Sequence, residues 1–304
     1  MSTPTRSHRE RDYLVRIDPE CPVDLHTHTT ASDGSLSPED LVDLARKGGL
    51  CAIAVTDHDT TDGVIRAIEA GRRAGVMVIP AVEISSQHKP GSMHILGYFI
   101  DTNEPRLQNT LAEMVRNRDR RNLGIVERLN NLGVQITLDE VCGYAGGDVL
   151  GRPHFARALV EKGVVSTIQE AFDQYLDAGA AAGVPKEKLP PELVIDMIHG
   201  AGGLAVLSHP YQLRLGDGEE LESRVRWLCD QGLDGIECYY PEHSEAQTAI
   251  YRSLAARYGL VSTGGTDFHG SSKNQSRLGL QPPLQASCVL ELATRRARGK
   301  PPRF

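Results

Sequence analysis

No two cysteines in this chain stand as a Cys-x-x-Cys pair; the six, Cys21, Cys51, Cys142, Cys229, Cys238 and Cys288, are scattered. That spacing excludes the thiolate clusters of structural zinc and dithiol redox sites, and leaves buried free thiols in a reducing cytosol as the expectation. Long apolar runs are missing as well. The first 20 residues are charged and polar, so neither a secretory leader nor a membrane span is read, and a cytoplasmic location is expected. Nor is there an excess of positive charge. A formal net charge of −7 argues against a nucleic-acid coat or a duplex-DNA binder, though a local basic site remains compatible with it. Repeats and low-complexity tracts are absent apart from an Ala/Gly-rich loop at 178–183.

What is present begins with Val23-Asp24-Leu25-His26-Thr27-His28-Thr29-Thr30-Ala31-Ser32-Asp33-Gly34. In an extended strand, Asp24, His26 and His28 share one face while Val23, Leu25 and Thr27 take the other. Asp33-Gly34 reads as a turn that swings one more carboxylate over the strand end. A His-x-His alone is as readily a hydrogen-bonded surface pair, so its context has to decide.

The context is a repeating pattern. Ser37-Pro38-Glu39-Asp40 starts a helix with Ser37 as cap, and Gly48-Gly49 stops it. Cys51 to Thr56 is an apolar run of buried-strand length ending in Asp57-His58-Asp59. A helix from about Asp62 to Ala74 leads to a strand from Met77 to Ala81, followed by Glu83; Met93 to Ile100 carries His94 near its start. Further strands are Gly203 to Ser208, ending in His209-Pro210; Gly235 to Tyr239, ending near Glu237; and Leu260 to Gly264, ending in Thr266-Asp267-Phe268-His269. Seven short strands alternating with helices predict a parallel α/β sheet or barrel, in which polar residues at strand ends meet on one rim.

Residues 101–189 break the alternation. Leu107 to Leu132 reads as one helix with Leu107, Leu111, Met114, Val115, Ile125, Val126 and Leu129 as its apolar stripe, and Pro153 to Lys162 and Ser166 to Leu176 as two more. The expected organisation is a polar lead-in (1–20), a discontinuous barrel (21–100 and 190–304) and a small helical insertion (101–189) leaning over the rim. Arg116, Arg118, Arg120 and Arg121 read as a solvated helix face, as do Arg295, Arg296, Arg298 and Lys300. His8, His88 and His199 read as ordinary surface or core histidines.

The candidate metal ligands are His26, His28, Asp33, His58, Glu83, His94, His209, Asp267 and His269. Imidazole with carboxylate and no thiolate suits manganese first, with iron or zinc as alternatives. Nine ligands exceed the needs of one ion, so two or three divalent ions are expected, with Glu83 bridging a pair as in two-metal phosphoryl-transfer sites. A hydroxide bridging the ions at Glu83 would be the nucleophile. Asp24 and Asp57, beside ligand histidines, read as groups that orient the imidazoles.

The motifs Asp24-Leu25-His26-Thr27-His28, Ser32-Asp33-Gly34, Thr56-Asp57-His58-Asp59, Val82-Glu83, His94 with Leu96-Gly97-Tyr98, Ser208-His209-Pro210 and Thr266-Asp267-Phe268-His269 together resemble the PHP (polymerase and histidinol phosphatase) family. The resemblance implies a distorted (β/α)7 barrel with a trinuclear site. Within it, His26, His28, Glu83 and Asp267 would hold one ion, Asp33, His58 and His269 a second, and Glu83, His94 and His209 a third. The subfamily it resembles most comprises nucleoside 3′,5′-bisphosphate phosphatases and 5′-to-3′ oligoribonucleases. By that resemblance, Arg152, His154, His243 and Ser244 would contact substrate, a nucleotide or short 5′-phosphorylated oligonucleotide; the other reading of Arg152 is a salt bridge capping the insertion, and His243 is either a substrate or acid contact or an ordinary polar loop residue. Where that subfamily has Gly-Lys-Pro-x-Tyr-Val, this chain has Gly179-Ala180-Ala181-Ala182-Gly183-Val184, with Ala180 and Gly183 in place of the Lys and the Tyr. The implied activity is removal of the 3′ phosphate from a nucleoside 3′,5′-bisphosphate and cutting of short RNA from its 5′ end. The alternatives are a histidinol-phosphate phosphatase and, in another class, a non-catalytic metal-bearing interaction module.

Overall fold

The computed structural model describes residues 17–144, 150–177, 179–185, 187–216, 218–272 and 277–298. His8, Lys300 and most of the polar lead-in lie outside them. Among the described residues there are eight strands: β1 (Pro22–Thr27), β2 (Ala52–Val55), β3 (Met77–Ser86), β4 (Met93–Tyr98), β5 (Leu204–Leu207), β6 (Gly235–Tyr239), β7 (Val261–Gly264) and β8 (Leu284–Gln285). They lie in the order β7-β6-β5-β4-β3-β2-β1-β8. The sheet nearly closes on itself, because the segment after β7 runs beside the end of β1. There Thr27 bridges Phe268, and the His28 N–H donates to the Phe268 carbonyl at 2.8 Å. This is an α/β barrel, with the seven anticipated strands and the short β8, antiparallel to β1, as an eighth.

Two departures from a uniform parallel barrel place the site. First, β4 runs antiparallel to both β3 and β5. Its beginning therefore lies on the rim where the other strands end, which is why His94 joins residues found at strand ends. Second, β3 does not stop at Ala81; it continues to Ser86, so Glu83 is an interior strand residue opposite Leu96.

The barrel interior is apolar below that rim. Val23, Leu25, Ala52, Ala54, Ile79, Ala81, Leu96, Tyr98, Val206 and Val261 form one buried cluster, joined by Val289 and Leu292 of the helix Ser287–Arg298. Outside, the helices Pro38–Lys47 and Val64–Ala74 cover Ile53 and Val55. The first starts as its sequence predicts, with Ser37 Oγ accepting the Asp40 N–H at 3.1 Å. The helices Pro191–Gly200, Glu219–Asp230 and Glu245–Tyr258 bury the outer faces of β4 to β6. Between β4 and β5 the chain forms the helices Pro105–Asn131, Leu138–Cys142, Arg152–Glu161 and Ile168–Ala171, the last continuing as a π-helical turn over Phe172–Leu176. These carry their own core around Ile125, Leu129, Phe155, Leu159 and Leu176.

The expectation of free thiols needs a correction. Cys21 and Cys51 are joined as a disulfide, across the neighbouring starts of β1 and β2, whose main chains already pair through the Cys51 N–H and the Pro22 carbonyl. Cys238 and Cys288 are buried thiols as anticipated, whereas Cys142 is exposed. No helix among the described residues is long and apolar enough to cross a membrane.

Close backbone approach at the barrel seam depends on Gly265, where a Cβ would lie 2.4 Å from both the main-chain nitrogen and the Cβ of His26. Gly265→Ala should therefore push β1 and the segment after β7 apart, lowering unfolding free energy by about 1–3 kcal/mol. Urea denaturation of the purified variant checks this.

Candidate metal centre

The site begins with an irregularity in β1. Val23 pairs with Ala52 and Asp24 with Ile53, but Thr27 pairs with Val55, so the register slips between Asp24 and Thr27. A slip of this kind changes which side chains face inward. Val23 and Leu25 point into the barrel and Asp24 points out beside Ile53. After the slip His26 and His28 point in. Tyr98 donates its hydroxyl to the Leu25 carbonyl at 2.8 Å at this irregularity.

That geometry corrects the roles expected for two aspartates. Asp24 does not share a face with His26; it accepts from Thr266 N at 3.0 Å, Thr266 Oγ1 at 2.6 Å, Gly279 N at 2.9 Å and the main-chain N–H of His26 at 3.2 Å. It anchors the segment that carries Asp267. Asp57 accepts from Thr29 N at 2.7 Å, Thr29 Oγ1 at 2.7 Å and Ser32 Oγ at 2.6 Å, fixing the loop that carries Asp33. Both acids hold main chain and hydroxyls, not imidazoles.

All nine candidate ligands converge. Glu83, fully buried, sits at the middle: its Oε2 lies 3.2 Å from His26 Nε2, 3.3 Å from His28 Nε2 and 3.1 Å from His58 Nδ1. Its Oε1 lies 2.9 Å from His94 Nδ1 and 3.0 Å from His209 Nε2. Asp267 Oδ1 is 3.0 Å from His28 Nε2 and 3.4 Å from His26 Nε2. Asp33 Oδ1 is 3.1 Å from His269 Nε2, and its Oδ2 is 4.0 Å from His58 Nε2. The rings of His58 and His94, and of His94 and His209, are 5.3 and 5.2 Å apart, close enough for one polynuclear centre. Ligand atoms that could hold an ion fall into three groups: His26, His28, Glu83 and Asp267; His28, Asp33, His58 and His269; and His58, Glu83 and His94.

The chemistry of this donor set fits divalent cations. Among the described residues, His26 Nε2, both nitrogens of His28, His58 Nδ1, Glu83 Oε2 and His269 Nε2 are buried without an aligned hydrogen bond, though carboxylates and imidazoles face one another at about 3 Å. Buried polar atoms are rarely left so unless something else occupies the space between them. The charges agree. Burial alone would depress the His26 imidazole, but Glu237, Glu83 and Asp267 outweigh it and hold its pKa well above the ordinary value. His28 is likewise pushed up to about 9 against burial by Asp267 and Glu83. His58, where burial dominates, drops to about 3. Carboxylates therefore favour positive charge at the centre, the preference a divalent ion satisfies. Local backbone strain marks the same rim: Asp59, His209 and Asp267 have φ of 56°, 22° and 52°, in the region L-residues seldom occupy.

One functional residue was absent from the candidate set. Glu237, fully buried in β6, receives His26 Nδ1 at 3.0 Å and the His209 N–H at 2.7 Å. It performs the orienting task expected of Asp24 and Asp57. The available signal was its place on a strand that ends at the ligand rim.

The substrate-side candidates separate. Arg152 is half-buried, 3.4 Å from Asp177 and 5.7 Å over the Phe172 ring, and His154 Nδ1 accepts the Gly151 N–H at 3.0 Å while lying in the field of Asp33. Ser244 is the cap of the helix Glu245–Tyr258, its Oγ accepting the Gln247 N–H at 3.2 Å. His243 is held among Tyr211, Tyr240 and Tyr251, its Nδ1 against the Cys238 carbonyl at 3.1 Å, behind the ligand rim. Tyr240 reaches the rim, donating to Asp267 Oδ2 at 3.1 Å. Gly183 lies in a turn too tight for a tyrosine, since a Cβ there would lie 1.9 Å from the Asp177 carbonyl oxygen.

A barrel with a rim of converging histidines and carboxylates suits a metal-dependent phosphoesterase, and the comparisons agree. The PHP domain signature matches residues 24–184. The chain is 37% identical over 248 residues to the 5′-3′ exoribonuclease Rnm of Salmonella typhimurium, covering 81% of this chain and 84% of that protein. It is 30% identical over 274 residues to the 3′,5′-nucleoside bisphosphate phosphatase of Chromobacterium violaceum, covering 88% and 93%. The crystal structure of a protein from Bifidobacterium adolescentis, described as a metal-dependent phosphoesterase, superposes with a TM-score of 0.77 at 32% identity, covering 91% of this chain and 97% of that one. The chain belongs to the PHP family.

Because Glu237 fixes the tautomer and direction of His26, Glu237→Gln should lower metal affinity about 10–100-fold while leaving the fold intact. Competition against a fluorescent chelator, with circular dichroism as the folding control, reads this out. Chelator-stripped wild-type protein should gain about 2.7 kcal/mol of stability when manganese is raised to about 100 times its dissociation constant, seen as a rise in Tm.

Proposed function

We propose that the chain hydrolyses the 3′ phosphate of nucleoside 3′,5′-bisphosphates, giving a nucleoside 5′-phosphate and phosphate, and that it shortens 5′-phosphorylated RNA from the 5′ end. The observation that carries the reading is the convergence of five imidazoles on the two oxygens of Glu83, with Asp33 and Asp267 on either side. Such a donor set suits two or three adjacent divalent ions, manganese first and iron or zinc otherwise. His26, His28, Glu83 and Asp267 would hold one, Asp33, His58 and His269 a second, and Glu83, His94 and His209 a third. When bound, such ions supply an activated water, whose pKa falls from about 15.7 toward ~7, and neutralise charge on the phosphoryl oxygens.

The chain's own residues do the positioning. Glu237 keeps His26 Nε2 directed at the centre, and Asp24 and Asp57 lock the two loops that present Asp267 and Asp33. Arg152 and His154 supply the substrate side of the cleft, the guanidinium offering a bidentate fork for a second phosphate. The names of the two relatives, an exoribonuclease and a bisphosphate phosphatase, support a nucleotide as the group presented.

The test is a manganese assay at pH 7 with adenosine 3′,5′-bisphosphate, histidinol phosphate and a short 5′-phosphorylated RNA. The expected outcome is phosphate release from the bisphosphate, 5′-mononucleotides from the RNA and loss of both on chelation. Histidinol phosphate as the sole substrate would replace the nucleotide reading, and no turnover by metal-loaded protein would leave a non-catalytic interaction module.

A further inference from the structure

Two kinds of side chain flank the ligand rim beyond the ligands themselves. On one side the helix Pro105–Asn131 buries Arg118 and Arg121, with Arg118 Nη1 3.8 Å from Asp59 Oδ2. This corrects the solvated arginine face expected from the sequence, which holds for Arg116 and Arg120, paired with Glu113. Another side is aromatic. Tyr240, directly after β6, is buried, and its ring stands edge-on to that of the candidate ligand His209 with centroids 5.7 Å apart.

The Tyr240 hydroxyl is aimed at the centre and donates to Asp267 Oδ2 at 3.1 Å. The other oxygen of that carboxylate, Oδ1, faces the histidines, 3.0 Å from His28 Nε2 and 3.4 Å from His26 Nε2. The two oxygens therefore have different tasks. Oδ1 looks into the group formed with His26, His28 and Glu83, and Oδ2 carries the phenol. The main chain at Asp267 is held by Asp24 through Thr266, but rotation of a carboxylate about its last bond is soft, so a donor to one oxygen is what sets its plane.

The phenol is itself braced. The His243 ring lies 5.1 Å from that of Tyr240 and 4.8 Å from that of Tyr251, which is buried in the outer core on the helix Glu245–Tyr258. His243 is fixed in turn by its Nδ1 against the Cys238 carbonyl at 3.1 Å, and Tyr211 packs on Tyr240 from another side, rings 5.7 Å apart. A continuous column of rings thus runs from the outer core to a ligand carboxylate. We propose that Tyr240 is a positioning residue whose hydroxyl fixes the plane of Asp267 so that Oδ1 is presented to a bound ion, and that His243 acts through Tyr240 as its brace. The proposal rests on the metal reading of the centre and not on the identity of the substrate.

The test uses full-length wild type, Tyr240→Phe, His243→Ala and the double variant, stripped of metal and titrated with manganese against a fluorescent chelator. Tyr240→Phe keeps the ring and removes the donor, so manganese affinity should fall about 10–100-fold, as for loss of a group that orients a ligand, with circular dichroism and apo-protein Tm unchanged. Cobalt(II) bound in place of manganese reports the arrangement of its donors, and its visible absorption should change in shape and intensity in Tyr240→Phe. His243→Ala should lower affinity in the same direction, and the double variant should lose no more than Tyr240→Phe alone, the non-additivity of residues acting in series. Neither measurement involves turnover, so this role and the nucleotide reading fail separately. Equal affinity and superimposable cobalt spectra in wild type and Tyr240→Phe overturn the role of Tyr240, and losses that multiply in the double variant overturn that of His243. Wild type that binds neither ion overturns the metal reading and both roles with it.

Discussion

Everything at the rim follows from burying one carboxylate. Glu83 is wholly removed from water, yet its pKa is held well below that of an ordinary glutamate: burial would raise it, and the histidines around it, His58, His26 and His94 foremost, overcome that effect. A buried anion persists only where positive charge and directed donors surround it. The fold meets that demand from every side. The extension of β3 carries Glu83 inward, the reversal of β4 brings His94 to the same rim, and the slip in β1 turns both His26 and His28 to the interior.

Geometry of this kind has a cost in backbone conformation. His209 and Asp267, with Asp59 beside His58, occupy left-handed φ, at a cost of order 1–3 kcal/mol each. Around them the chain places hydrogen bonds that oppose relaxation. Glu237 accepts the His209 main-chain N–H, Asp24 accepts two bonds from Thr266 beside Asp267, and the Asp59 N–H donates to the Glu83 carbonyl at 2.9 Å. Strain and anchors occur together, so the ligand positions are determined by packed strands and not by loops free to adjust.

Most of the candidate ligands were legible because they sit in short runs of histidine or acid at or just past an apolar strand, a pattern that packing alone does not explain; Glu83, inside β3, and His94, at the start of β4, stand outside such runs. Glu237 was noted at its strand end but not taken as a candidate, because a single acid inside β6 has no histidine or acid neighbours and only its interior register separates it from a surface glutamate. Asp24 was assigned to the wrong face because a strict period of two cannot register a slip within a strand, and the slip itself leaves no mark in Val23-Asp24-Leu25-His26. Arg118 and Arg121 were read with their neighbours as one charged run. Counting by helical period would have separated them, since they continue the stripe of Leu111 and Met114 whereas Arg116 and Arg120 lie off it. The pairing of Cys21 with Cys51 depends on two strand starts meeting in space, which a separation of 30 residues does not reveal.

The long helix connects these observations, because its buried face belongs to two cores, one against the outer face of β3 to β6 and one among the helices that follow it. Its buried arginines and the acids of the rim carry opposite charge, yet they are not arranged to cancel one another. Asp59 Oδ2 lies 3.8 Å from Arg118 Nη1, and its Oδ1 accepts the Ser85 N–H at 3.0 Å. The imidazoles take up the rim carboxylates instead. The two cores hold that arrangement in position, so the separation of the rim's acids from the buried guanidiniums is set by packing and not by side-chain adjustment.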